Sequence, residues 1–237
     1  MKRDIIILHG WGLSGSRFSP LKTELEKRGA RVWAPDFPGF GVQKLPKKPY
    51  QLLDYALFLQ QYIIKHEIHS PGLIGHSFGG RVALKYDSLF PKSTSWIVLS
   101  GTPGFRSSTF KARIAIVIAK LGKIFFTVPL ISTFKNSITE SYYAFVSSRE
   151  YSRAEGTMKE TFKQIVSESL LPYMKSLSVP CLLLWGERDR MVPIRIAFKM
   201  HEIIPGSTLS IIPSTDHSVP YVNPEEFVRR MMEFHFI

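Results

Sequence analysis

Cysteine is almost missing from this 237-residue chain, with Cys181 the single example. A disulfide framework and a cysteine-based metal cluster are excluded, and a reducing compartment fits. Acidic side chains are sparse too, 19 against 31 Lys and Arg, which leaves a formal net charge of +12. The excess is uneven: residues 105–178 carry eleven basic and five acidic side chains, residues 179–237 six and seven. It reads either as a plain solubility bias or as attraction to an acidic partner or anionic surface. No nucleic-acid-binding motif accompanies it, so no nucleic acid is expected as partner. Long apolar runs are lacking as well. Ile5–Leu8, after Lys2-Arg3, stops at His9-Gly10, too soon for the apolar core of a signal peptide. Ile114–Ile131 is broken by Lys120, Gly122, Lys123 and Pro129, so it reads as pocket lining packed on the core rather than a span. A basic surface helix is the alternative there. No stable membrane insertion is expected, and the default location is cytoplasmic.

What is present is an alternation. Short buried-strand patterns at Asp4–Leu8, Arg31–Ala34, Gly72–Gly75, Ser95–Leu99, Val179–Trp185 and Thr208–Ile212 are separated by helical patterns. These helices run from Ser19-Pro20 to about Arg28, with serine as N-cap, then over Tyr50–His66, from the Ser77 turn to about Asp87, near Pro193–Ile203, and from Pro224. Strand and helix in turn imply an α/β class, a mostly parallel sheet with helices on both faces. Ligands then bind where the loops gather, at the carboxyl ends of the strands. The alternation breaks between 105 and 172, where four helical segments are predicted near Thr109–Leu121, Lys123–Phe134, Thr139–Ser147 and Ala154–Leu170. The expected organisation is a core of 1–104 and 173–237, carrying a helical cap of 105–172 as a lid over the carboxyl ends.

Gly75-His76-Ser77-Phe78-Gly79, between a strand and a helix, has the G-x-S-x-G pattern of a serine on a sharp turn. Its glycines remove Cβ atoms where strand and helix nearly collide, and the turn holds Ser77 strained with its hydroxyl projecting. Serine is a poor nucleophile at neutral pH and needs a base. His217, in the loop after the last strand, is the best candidate, with Asp189 in the loop after Val179–Trp185 to orient its imidazole. The order serine, aspartate, histidine suits the fold. His76 is too close along the chain to face Ser77, His9 reads as part of its loop, and His66, His69, His201 and His235 read as solvated. Asp216 would have difficulty facing the ring of its neighbour, and Glu187 is the alternative acid. Cys181 is a small core residue. The Phe78 N–H, at the helix start, is one donor for a developing oxyanion.

Together with His9-Gly10-Trp11-Gly12, Asp36-Phe37-Pro38-Gly39-Phe40-Gly41, Trp185-Gly186-Glu187-Arg188-Asp189 and Asp216-His217, these motifs resemble the α/β-hydrolase superfamily, in its cap-containing, carboxylesterase-like group. The resemblance covers nearly the whole chain. It implies a sheet of about six strands without the usual N-terminal hairpin. It also implies a second oxyanion donor at the Trp11 N–H, a catalytic set of Ser77, Asp189 and His217, and no metal or cofactor. The implied function is hydrolysis of an ester or thioester of a small to medium acyl group through an acyl-enzyme. Carbon–carbon bond hydrolases and menaquinone-type lyases resemble it in the same parts. A non-catalytic ligand-binding protein on the same fold is the rival of another class. Arg81 recurs in a Ser-x-Gly-Gly-Arg arrangement that in some synthases meets a substrate carboxylate and in plain esterases pairs with a structural acid. The basic lid would suit docking of an acyl carrier protein.

Overall fold

The computed structural model of the protein describes residues 3–105 and 156–237. Its frame is a six-stranded sheet whose pairings are all parallel, in the order β2-β1-β3-β4-β5-β6. The strands are β1 Asp4–Leu8, β2 Arg31–Trp33, β3 Gly72–His76, β4 Trp96–Ser100, β5 Cys181–Gly186 and β6 Thr208–Ile212. The first three lie at the left of that order with β1 between β2 and β3. The chain therefore reverses direction of travel across the sheet between β1 and β3. In open α/β sheets a reversal of this kind marks the crevice at the carboxyl ends of the two strands where ligands bind.

The inner strands β1, β3, β4 and β5 are largely apolar because both faces are covered, whereas the edge strands β2 and β6 carry Arg31, Thr208 and Ser210. Side chains alternate across the sheet. Ile6, Leu8, Leu73, Leu99, Leu183 and Trp185 enter one buried cluster, and Ile5, Ile7, Ile74, Val98, Leu182 and Leu184 enter the other. Helices α2 (Leu52–Lys65) and α3 (Phe78–Leu89) cover the first face, through Leu52, Tyr55, Leu59, Val82 and Tyr86. Helix α1 (Ser19–Glu26) covers the second through Leu21 and Leu25, beside the C-terminal helix with Phe227, Val228 and Met231.

Local differences from the sequence reading have local causes. Ser19 is the first residue of α1, not its cap, because a turn of 3₁₀-helix at Gly15–Phe18 runs straight into it and Phe18 takes the N-cap place. The Ser19 hydroxyl donates back to the Ser16 carbonyl instead (2.7 Å). In α2 the cap is Gln51, whose N–H donates to the Asp54 carboxylate at 2.7 Å. Three of the helices predicted within 105–172 lie outside the described residues. The fourth is observed as α4, Thr157–Ser167, followed by α5, Leu171–Ser176. After β5 come α6 (Arg195–Ile203), a single turn α7 (Val219–Val222) and α8 (Pro224–Glu233).

Helix α4 is held firmly to the core. The Thr157 hydroxyl donates to the Pro46 carbonyl (2.9 Å), and the Thr161 hydroxyl accepts the Tyr50 N–H (2.8 Å). Its apolar side chains Met158, Phe162 and Ile165 are buried, four and three residues apart on one face. Among the described residues no helix is long and apolar enough to cross a membrane.

Candidate active site

Ser77 stands between β3 and α3 with φ 51° and ψ −112°, a backbone conformation that serine adopts only under constraint. The constraint is visible on both sides. Its N–H donates to the Ser100 carbonyl on β4 (2.8 Å), and its carbonyl accepts the Gly80 N–H (3.1 Å). A Cβ on Gly75 would fall 2.5 Å from the Gly80 Cα, and one on Gly79 would strike the Leu8 carbonyl of β1. Strand and helix thus meet at Gly75, as the sequence predicted, whereas Gly79 makes room for the neighbouring strand. The serine itself remains partly exposed in otherwise buried surroundings.

The loop after β1 lies against this turn, since a Cβ on Gly10 would be 3.5 Å from the Ser77 Cβ. His9 anchors that loop. Its Nε2 accepts the Phe37 N–H (3.0 Å), so Nδ1 carries the proton and donates to the Gly10 carbonyl (2.8 Å). Burial holds the His9 pKa down at about 4, which keeps the ring neutral and fit for this double role. The Asp36 carboxylate accepts the N–H groups of Gly15 (2.6 Å) and Val42 (2.9 Å), tying the next loop in place. Among the described residues the amides of Trp11 and Phe78 have no backbone acceptor, as expected for a loop residue and the first residue of a helix.

Across the crevice, His217 Nδ1 donates to Asp189 Oδ2 at 2.7 Å, in a pair buried on both sides. The other oxygen, Oδ1, accepts the N–H groups of Met191 (2.9 Å) and Val192 (2.8 Å), so the carboxylate is fixed by its own loop. The rival acids are engaged elsewhere. Glu187 accepts the Ser214 N–H (2.8 Å) and Asp216 accepts the Ser218 N–H (2.8 Å). The His217 ring lies 4.7 Å from the His76 ring, centre to centre, and a Cβ on Gly101 would be 2.5 Å from its Cε1. His76, the chain neighbour of Ser77, touches the His217 ring, and Ser100, the chain neighbour of Gly101, accepts the Ser77 N–H. The structure therefore brings Asp189 and His217 into contact and Ser77 onto the adjoining turn.

The remaining histidines differ in part from the sequence reading. His66 is not simply solvated, because its ring packs 4.3 Å from Tyr62 and 5.0 Å from Trp33. His201 Nδ1 lies 3.0 Å from the Ser207 hydroxyl. His76 is fully buried, and burial, with His217 beside it, pushes its pKa well below the ordinary value. Arg81 is buried and, among the described residues, bonds no carboxylate directly, with Glu168 the nearby acid. Two residues were not singled out from sequence. Phe162 of α4 packs edge-on to Trp11 at 4.9 Å, and Met158 fills the space above Gly39. Their four-residue spacing was legible as an apolar face, but not what the face covers.

A strained serine after β3 and a carboxylate–imidazole pair on the loops after β5 and β6, all at the carboxyl ends of a parallel sheet, define an α/β protein of hydrolase type. The alpha/beta hydrolase family model matches residues 5–230, and the chain belongs to that family. It is 27% identical to the AB hydrolase superfamily protein YisY of Bacillus subtilis, over 98% of this chain and 91% of that one. It is 23% identical to the pimeloyl-[acyl-carrier protein] methyl ester esterase of Edwardsiella ictaluri, over 98% and 93%. Among solved structures, the esterase from Exiguobacterium antarcticum aligns with a TM-score of 0.74 at 20% identity, covering 98% of this chain and 91% of that one. The last likeness is one of fold.

Proposed function

We propose that the protein is a serine hydrolase of carboxylic esters or thioesters with a small to medium acyl group. The reading is carried by the buried Asp189–His217 pair at 2.7 Å, placed on loops that adjoin the strained turn bearing Ser77. In this reaction Ser77 Oγ attacks the acyl carbonyl while His217 Nε2 takes its proton, and Asp189 stabilises the imidazolium. The carbonyl oxygen becomes an oxyanion facing the Trp11 and Phe78 N–H groups. Loss of one such donor costs on the order of 3 kcal/mol of barrier. The imidazolium returns the proton to the leaving alcohol or thiol. Water, activated by the same His217, then cleaves the acyl-enzyme and restores Ser77.

The likeness to the pimeloyl-carrier esterase supports an acyl ester as substrate class and makes an acyl carrier protein a partner worth testing. The basic excess in 105–178 is compatible with an acidic carrier.

A fluorophosphonate probe tests the core of the proposal. Labelling confined to Ser77 and lost in Ser77→Ala, with p-nitrophenyl acetate turnover well above that variant, is the expected result. An unlabelled Ser77 with turnover equal to Ser77→Ala would favour the binding-protein alternative. Turnover of a carrier-bound ester that does not change with salt would count against the carrier protein.

A further inference from the structure

Among the described residues, the buried cation that the proposed chemistry does not use is Arg81, one helical turn beyond Ser77 on α3. Among those residues its guanidinium meets main-chain oxygens alone. Nη1 donates to the Pro103 carbonyl (2.8 Å), and Nη2 donates to the carbonyls of Ile165 (2.6 Å) and Glu168 (2.7 Å). Nε is buried without a partner among the described residues. Burial lowers the Arg81 pKa to about 10, against the pull of nearby Glu168, so the charge is retained at neutral pH.

The three acceptors are not arbitrary. Pro103 lies just after β4, and Ile165 and Glu168 close the C-terminal end of α4. A helix C-terminus presents unpaired carbonyls and the negative end of its dipole, so a cation is favoured there. Four residues further along α3, Lys85 Nζ reaches the Glu168 carboxylate (3.0 Å) and the Tyr173 hydroxyl (2.6 Å), a second tie to the end of α4 and to α5 but not to Pro103. The other end of α4 bears on the site through Phe162 on Trp11 and Met158 over Gly39.

We propose that Arg81 is a positioning residue for acyl selection, one guanidinium that clamps the loop after β4, at Pro103, and the C-terminal end of α4 to the helix that follows Ser77. It thereby fixes the Phe162 and Met158 face of α4 as a rigid wall beside the oxyanion loop. The role acts through α4 and not on the reacting atoms, and it rests on the reading of Ser77 as nucleophile.

The test compares Arg81→Lys, Arg81→Met, Lys85→Met and Phe162→Leu with the unaltered protein. Thermal unfolding, the rate of labelling by a small fluorophosphonate, and kcat and KM on p-nitrophenyl acetate and octanoate are read for each. Lysine keeps the charge but cannot span three carbonyls in a fork. The expected result for Arg81→Lys is labelling within about threefold of the unaltered rate and an octanoate-to-acetate ratio of kcat/KM changed by about tenfold or more. Phe162→Leu should move that ratio too, and Lys85→Met should leave it within about threefold. An unchanged ratio in Arg81→Lys, with both esters slowed alike, overturns the proposal, as does an equal shift in Lys85→Met. If neither Arg81 variant folds, an unchanged ratio in Phe162→Leu overturns it, and a shifted one supports the wall that Arg81 holds. Failure of the unaltered protein to label would refute the nucleophile reading itself, an outcome distinct from all of these.

Discussion

Replacing Asp189 by asparagine separates chemistry from folding. Its two oxygens have different tasks: Oδ2 faces His217 Nδ1, and Oδ1 holds the N–H groups of Met191 and Val192. Asparagine keeps one oxygen and gains an NH₂ group. Two backbone donors demand the oxygen, so the NH₂ must turn toward His217. It then donates to Nδ1, and the ring proton moves to Nε2, the nitrogen that has to accept the serine proton. The wrong tautomer in a serine triad costs on the order of 10⁴ in kcat. The loop keeps all its bonds, so stability should change by less than about 1 kcal/mol.

Alanine at the same position gives the contrast. It abandons the buried Val192 N–H, at about 1–3 kcal/mol, and the more exposed Met191 N–H, which water can serve, so Asp189→Ala should lose roughly 1–3 kcal/mol of stability. Both variants should be nearly inactive on p-nitrophenyl acetate, and only the second should unfold at markedly lower urea. Asp189→Asn retaining turnover within tenfold of the unaltered protein would refute the tautomer argument, and with it the role of His217 as base.

Further outcomes follow from individual residues. Gly101 has φ 57° and no room for a Cβ beside the His217 ring, so Gly101→Ala should displace the imidazole and lower kcat by about 10²-fold in steady-state assays. Ser77→Gly should abolish labelling yet raise the urea midpoint, by about 1 kcal/mol of relieved backbone strain. His9, with a pKa of about 4 when folded against 6.5 when free, is joined by His76, shifted the same way. Between those pH values the unfolded chain binds more protons than the folded one, so stability rises with pH there and is lost as pH falls below about 6.5. His9 alone accounts for up to about 3 kcal/mol. Urea titrations at pH 4.5 and 6.5 should show this slope, and a flat profile would contradict the neutral buried rings.

The sheet was legible because each inner strand is a short, largely apolar run covered on both faces, a pattern that reads in one dimension. The same holds for Ser77, whose glycine neighbours record a close approach at a fixed spacing. Asp189 and His217 were legible as loop positions after named strands, even though 28 residues separate them. What sequence could not convey was how competing polar groups are shared out. Glu187 and Asp189 differ by two positions, and only the fold shows that one serves Ser214 and the other His217. Arg81 was illegible for the same reason. Main-chain carbonyls leave no trace in side-chain identity, so a cation satisfied by three of them looks, in sequence, like a cation awaiting an acid.

The distribution of imidazoles around the crevice bears on which one could act as base. Three rings lie near Ser77, and a proton relay needs the one that can become charged. His9 has both nitrogens committed, one as donor and one as acceptor, and protonating it would break the bond from Phe37 inside a dry loop. His76 is completely buried, its Nδ1 has no partner among the described residues, and a charge there would face His217 at 4.7 Å between ring centres. Neither can hold a proton at neutral pH without a large desolvation cost. Of the three, and among the described residues, His217 alone has a carboxylate in hydrogen-bond contact, where an added proton is compensated. The two neutral rings also keep that corner of the site free of competing positive charge. The assignment of His217 thus draws support from where a charge can be tolerated, independently of the order in which the residues occur along the chain.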